Sequence, residues 1–243
     1  LQQTRQLAED SGGALDPTIR PLVKLWGIER ENPVKPEQED IDKRLTYVDY
    51  HNFELMNSSY VKMVKGTKLD LGAVGKGIAC DEVYNILRNR QVDGAVISVG
   101  GSILTYGCKP DGEDWIVAIR DPLGDEDSTL GTLNLIGTNF ISTSGSYEKY
   151  FIEDGITYHH ILDPSTGYPA NSGLTSVTIV CDNGLDSDGL STACFILGYE
   201  NSLPLLEKYN AEAIFVTVDN EIIITEGLKY KFTLSAEGYN IVE

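Results

Sequence analysis

Short strand-like segments, separated by Gly, Pro, Asn and Asp, run through most of this chain, and helical stripes interrupt them at irregular intervals. Strand candidates lie at 46–50, 60–64, 94–99, 114–120, 129–135, 138–143, 148–152, 156–161, 174–181, 212–218 and 221–225. Helix signals fall at 1–10, 36–45, 76–90 and 185–197, with a shorter one at 203–209. Pro36 suits a helix start; Gly12 and Gly198 suit helix ends. Ala79, Val83, Ile86 and Leu87 form one apolar stripe. Segment 174–181 reads as a half-buried strand, and Asp219-Asn220 as a hairpin turn. Consecutive strands with inserted helices predict an α+β fold of mixed and antiparallel sheets, not a strictly alternating parallel sheet. The 243 residues, 41% hydrophobic, are enough for a large core, and no repeat or low-complexity linker divides them. A single domain over residues 1–243 is the expectation.

Charge narrows the partners. A net charge of -18 and a pI near 4.4 argue against a broad basic face for nucleic acid. An anionic ligand would have to be held by local cations, most simply a metal ion. Cys80, Cys108, Cys181 and Cys194 lie far apart with no CxxC or zinc spacing, and read as buried thiols. No apolar run approaches the roughly 18 residues that a membrane-spanning helix needs. The opening residues read as the tail of a helix, so the chain is expected to start downstream of something.

Residues 156–170, ITYHHILDPSTGYPA, carry two adjacent histidines into a turn built on Asp163-Pro164 and Gly167, placing an imidazole and a carboxylate at the mouth of a rigid loop. Neighbours on a strand face opposite ways, so only one histidine can look into a site beside Asp163; His160, next to the turn, is the candidate general base, with an ordinary pKa near ~6.5. Asp188 and Thr192, four apart in one helix, share a face flanked by Phe195 and Ile196, opposite a stripe of Leu190, Ala193, Cys194 and Leu197. A buried carboxylate needs a partner, and carboxylate plus hydroxyl suits a hard cation such as Mg²⁺. Segment 69–77, LDLGAVGKG, lets backbone approach closely and puts Lys76 at a helix start, where N–H groups favour an anion. Gly100-Gly101 ends a strand as a turn or a ligand contact. Asp16, before Pro17, and Thr143-Ser144-Gly145 read as turn chemistry.

Taken in order, Gly13–Thr18 (GALDPT), Leu69–Gly77, Val99-Gly-Gly101, Thr143-Ser-Gly145, HILDPSTGYP from His160 and SDGLST from Ser187 resemble the ApbE family of FAD:protein FMN transferases. The resemblance implies an ApbE-like α+β fold and an enzyme that cleaves FAD with Mg²⁺. Such an enzyme moves FMN onto a Thr or Ser hydroxyl of a target protein and releases AMP. It further implies FAD contacts from Ala14, Leu15, Asp16, Asp70, Lys76 and Ile161. A metal site of Asp188, Thr192 and the Ala73 carbonyl, with His160 functional, completes the set. The implied acceptors are proteins such as subunits of membrane electron-transport complexes. Extracytoplasmic placement through an N-terminal lipid anchor is implied too. Family members also carry a portion before the first motif, with a FAD-contacting Met and an aromatic contact; this chain begins inside the helix that follows it. Two other readings use the same contacts: a Mg²⁺-dependent FAD pyrophosphatase giving FMN and AMP, and a flavin-binding protein without turnover.

Overall fold

The computed structural model describes residues 1–57, 59–125 and 127–242. Its helices are α1 (Gln2–Asp10), α2 (Arg20–Trp26), α3 (Gln38–Leu45), α4 (Gly75–Asn89), α5 (Gly184–Leu197) and α6 (Tyr199–Lys208). Its strands are β1 (Phe53–Leu55), β2 (Val61–Met63), β3 (Gly94–Val99), β4 (Ser102–Gly107), β5 (Trp115–Arg120), β6 (Thr129–Leu135) and β7 (Asn139–Gly145). The remainder are β8 (Tyr150–Glu153), β9 (Ile156–His159), β10 (Leu174–Cys181), β11 (Glu212–Thr217), β12 (Glu221–Ile224), β13 (Phe232–Leu234) and β14 (Asn240–Val242). A seven-stranded sheet in the order β14-β12-β11-β10-β7-β4-β3 forms the spine, antiparallel except where β12 meets β14. The fold is α+β, as the strand-rich, irregularly interrupted sequence predicts.

Strand alternation places the two cores. In β10, Val177, Ile179 and Cys181 join Ala213 and Phe215 of β11 against α5 and α6. The intervening Val180 joins Ile214, Val216 and the three-stranded sheet β13-β6-β5 on the other face. Strand β10 is therefore buried on both faces rather than on one. A second sheet lies over the face expected to meet water, and its β-branched residues tolerate either environment.

Helix α5 is the central helix. Residues on every side of it are buried, including Ser187, Asp188, Ser191 and Phe195, because it packs on β7 and β10 below and α1 and α4 beside. Helices α4 and α5 touch backbone to backbone: a Cβ at Gly77 would collide with the Gly184 carbonyl oxygen, and one at Gly184 with the Gly77 carbonyl oxygen. Each helix also supplies a carboxylate to the other's start. Asp188 Oδ2 accepts from the Gly77 N–H at 3.0 Å, and Asp81 accepts from Gly184 N–H at 2.7 Å and Leu185 N–H at 2.9 Å. Asp188 thereby satisfies the Gly77 N–H of α4, while Asp81, with Asn183 accepting from the Asp186 N–H at 3.0 Å, satisfies the first turn of α5.

Several boundaries differ from the sequence reading. Residues 46–50 form a turn running into a short 3-10 helix at Tyr50–Asn52, because the Asp49 carboxylate accepts from the His51 N–H at 2.9 Å and folds the chain back. The Thr143-Ser144-Gly145 segment is the end of β7, not a turn, because it pairs with Ser176, Val177 and Thr178 of β10. Helix α6 begins at Tyr199 rather than near Pro204, only one residue after α5, with Gly198 at φ 78 turning the chain. Gly100 and Gly101, with φ 54 and 96, close a two-residue hairpin between β3 and β4, a backbone that glycine adopts without strain. Among the cysteines, Cys80, Cys181 and Cys194 are buried, whereas Cys108 is exposed in the loop after β4.

The close α4–α5 contact generates a stability prediction. Gly77→Ala should lower the unfolding free energy by about 1–3 kcal/mol or more, since the facing atoms are backbone and cannot rotate away. Gly75→Ala, where an added Cβ meets nothing within 4 Å, should leave stability unchanged or raise it slightly. Urea unfolding of both variants checks the contrast.

Candidate active site

Distant segments converge on one cavity of about 910 Å³ between α2, the start of α4, the end of β7 and the loop after β9. Ala14, Leu15, Asp16, Asp70, Ala73, Lys76, His160, Ile161 and Thr192 all line it. Asp188 sits directly behind Lys76, 2% exposed, with Oδ1 3.0 Å from the Lys76 ammonium. The structure thus brings together every residue that the sequence singled out for FAD or metal contact.

Each arrives by a local mechanism. Helix α1 ends at a left-handed Gly12, and the Gly13 N–H bonds to the Ala8 carbonyl at 2.8 Å, which turns Ala14–Asp16 back toward the cavity. Asp16 is held by Thr18, whose N–H and hydroxyl donate to Oδ1 at 2.7 and 2.6 Å. Burial nonetheless pushes its carboxyl above the ordinary range, since desolvation disfavours the charge more than those bonds favour it. Asp70 ties the next segment down: its N–H bonds to the Pro17 carbonyl at 2.7 Å and its Oδ2 accepts from Arg20 at 2.8 Å.

The hydroxyl wall comes from β7 meeting α5. Ser144 Oγ lies 2.8 Å from Ser191 Oγ and 3.2 Å from Thr192 Oγ1. Deeper, Ser142 bridges Ser102 at 3.0 Å and Ser187 at 2.9 Å, and Ser102 reaches Asp188 Oδ1 at 3.5 Å. Ser142 and Ser144 share one strand face, and that period-2 spacing of small hydroxyls was the available sign that the segment was more than a turn. Arg20 was missed with the whole of α2, although Pro21 just inside its start and the left-handed Gly27 at its end mark a helix.

The two histidines part company. His159 Nε2 lies 3.0 Å from the Ala170 carbonyl, and its ring meets Phe195 edge-on, away from the cavity. His160 lines the cavity, and its Nδ1 is buried without a protein partner. Burial, reinforced by His159 and Lys149, pushes its pKa down to about 4, so the ring is neutral at pH 7 and far less basic than a free imidazole. Asp163, expected to share the site, instead builds the loop. Its carboxylate accepts from the Ser165 N–H at 2.8 Å and hydroxyl at 2.7 Å, while its carbonyl accepts from the Gly167 N–H. An Asx turn uses the carboxylate locally, which is why the Asp-Pro pair marks rigidity and not chemistry here. Trp26 clamps the same loop through its indole N–H, 2.7 Å from the Gly167 carbonyl.

Charged side chains and hydroxyls on its walls, beside apolar Leu15, Ile161 and Ile196, give this α+β protein a cavity of mixed polar and apolar lining, the character of a small-molecule site. The profile of the ApbE family matches residues 1–215. The chain is 34% identical over 244 residues to the FAD:protein FMN transferase of Treponema pallidum (strain Nichols), covering 94% of this chain and 67% of that protein. It is 35% identical over 233 residues to the FAD:protein FMN transferase of Klebsiella pneumoniae (strain 342), covering 95% and 72%. The crystal structure of the ApbE protein of Thermotoga maritima MSB8 superposes with a TM-score of 0.86 at 34% identity, over 95% of this chain and 75% of that one. The chain belongs to the ApbE family.

The histidine environment sets a pH dependence. His160 is depressed from 6.5 to about 4 in the folded state, and burial lowers His159 as well. The unfolded chain therefore binds more protons across that window, so stability is full above about pH 6.5 and falls as pH drops toward 4. In His160→Gln the decline of the urea midpoint between pH 6.5 and 4 should be shallower than in the parent. An identical slope would show that His160 titrates normally.

Proposed function

We propose that this chain is a Mg²⁺-dependent FAD:protein FMN transferase, joining FMN through a phosphoester to a Thr or Ser hydroxyl of an acceptor protein and releasing AMP. The observation that carries the reading is the meeting of Asp16, Asp70, Lys76, His160 and Thr192 around one cavity, with Asp188 behind Lys76, from segments far apart in sequence. The names of the matched relatives support the same activity.

The donor set fits a hard divalent ion. Asp188 is a buried carboxylate behind the cavity wall, Thr192 and Ser144 supply neutral oxygens, and Ala73 lines the same cavity. One carboxylate with neutral oxygens is the protein share expected for Mg²⁺, which takes its other ligands from water and substrate phosphates. In this structure the Lys76 ammonium supplies the positive charge on Asp188 Oδ1. Asp188, Thr192 and the Ala73 carbonyl would hold the ion. It would supply electrostatic stabilisation of charge on the phosphoryl oxygens as AMP leaves.

The other groups bind and orient. Lys76 and the α4 N-terminus supply positive potential for the pyrophosphate in a chain of net charge -18. The acceptor hydroxyl oxygen forms the new bond to the FMN phosphorus, the pyrophosphate P–O bond breaks toward AMP, and the hydroxyl proton passes to His160. Neutral and unpartnered at Nδ1, His160 is in the form a base requires. A bound pyrophosphate would oppose the depressing charges of Lys149 and Lys76 and raise its basicity. The family resemblance supports membrane electron-transport subunits as acceptors and an extracytoplasmic location.

Incubation of FAD, Mg²⁺ and an acceptor carrying a Thr-containing target segment should add the mass of FMN to that acceptor. Free FMN without an adduct would make the chain a hydrolase, and neither product a binder. Asp188→Ala should abolish Mg²⁺-dependent transfer, with Thr192→Val milder because water replaces one neutral oxygen. His160→Ala should cut transfer by roughly 10²–10⁴-fold with FAD still bound, while His159→Ala changes little. The acid limb of kcat/KM should fall near the free-protein value of about 4, and that of kcat higher. Equal effects of the two histidine substitutions would end the general-base role.

A further inference from the structure

On the far side of α2 lies a second, smaller pocket of about 340 Å³. Lys24, Arg30, Arg44 and Lys68 surround it over a floor of Pro21 and Leu25. None of these four cations pairs with a carboxylate among the described residues, whereas Arg20, Lys43, Lys76, Lys149 and Lys208 each do. Unpaired cations gathered around one hollow repel one another. In a chain carrying 37 acidic against 19 basic residues, a hollow lined by four exposed cations and no carboxylate is a local basic patch that calls for a reason.

Helix dipoles explain part of it. Lys24 and Arg44 sit in the last turns of α2 and α3, where a cation complements the exposed carbonyls. Lys68 and Arg30 lie outside any helix, so dipoles do not account for them. Arg30 is moreover placed deliberately. Its guanidinium donates to the Lys24 carbonyl at 2.6 Å and folds over Gly27, where any Cβ would meet Arg30 Cδ and Nε at 2.7 Å. Lys24 and Arg30 also line the large cavity, so the basic hollow adjoins the wall of the active site.

We propose that this pocket is the docking site for an acidic segment of the acceptor protein, an inference that rests on the transferase reading above. A phosphate group is the poorer fit, because the helix ends beside the hollow are C-terminal and offer carbonyls rather than a cradle of N–H groups. Long, solvent-exposed cations around a small apolar floor suit side-chain carboxylates on a peptide. Such rim charges steer encounter and orient the partner more than they add affinity. A segment seated there lies beside the wall that Lys24 and Arg30 share with the large cavity.

Arg44 and Lys68 line only the smaller pocket, so they test it without touching the flavin cavity. The probe is a fluorescein-labelled octapeptide of alternating Glu and Gly, followed by anisotropy, with the Ser-Gly counterpart as control. The parent should bind the acidic peptide and not the control, and R44E/K68E should weaken binding at least tenfold, with R44Q/K68Q intermediate. FAD affinity, read by flavin fluorescence, should stay within twofold in both variants. Acidic-peptide binding that is absent in the parent, or unchanged in R44E/K68E and R44Q/K68Q, overturns the proposal. So does displacement of the peptide by inorganic phosphate at concentrations well below the peptide's own. A parent that fails to bind FAD would overturn the flavin reading instead, and the peptide arm distinguishes the two failures.

Discussion

The exchange of carboxylates between α4 and α5 holds the rest of this structure in place. Asp81 accepts from the Gly184 and Leu185 N–H groups of α5, and Asp188 from the Gly77 N–H of α4, across a contact so close that only glycine fits at positions 77 and 184. Buried N–H groups at two helix starts, at Gly77 and at Gly184 and Leu185, are paired across this one contact. The consequence reaches the site directly. Asp188 cannot swing away without orphaning the Gly77 N–H, so the carboxylate facing Lys76 is fixed before any ligand arrives.

That arrangement also resolves the charge problem of an acidic protein with an anionic ligand. Net charge acts over the whole surface and is screened by salt beyond roughly 10 Å, whereas a half-exposed lysine on a buried carboxylate and a helix start act locally. Lys76 faces the cavity from the first turn of α4 while Asp188 supports it from behind. Around α2, cations that pair with no carboxylate among the described residues line the adjoining hollow. In the large cavity cations and carboxylates share the walls, whereas the charged lining of the smaller hollow is basic alone.

The histidine pair shows how packing reassigns chemistry that residue type alone leaves open. Alternation predicts that only one imidazole faces a site, and the structure puts His160 in the cavity wall and His159 against Ala170 and Phe195. What alternation does not carry is the environment: burial and neighbouring positive charge make His160 a neutral ring with a pKa of about 4. Its expected value near 6.5 belonged to an isolated side chain in water.

Local pattern determined much here by itself. The 3.6 period wrote α4 and α5, β-branched runs wrote β10 and β11, and glycine at positions 12 and 100–101 wrote the turns, because these depend on neighbours a few residues apart. The ordered motifs also marked most of the residues that line the cavity. Tertiary structure decided the rest. Strand β10 is buried on both faces because a second sheet covers it, Asp163 spends its carboxylate on its own loop, and Ser142 and Ser144 become a hydroxyl wall only when β7 meets α5. Helix α2, whose Pro21 and Gly27 were legible, brings Arg20 to Asp70, fifty residues away in the chain. Contacts between residues so distant in sequence leave no local period, and burial, pKa and partnership arise from them alone.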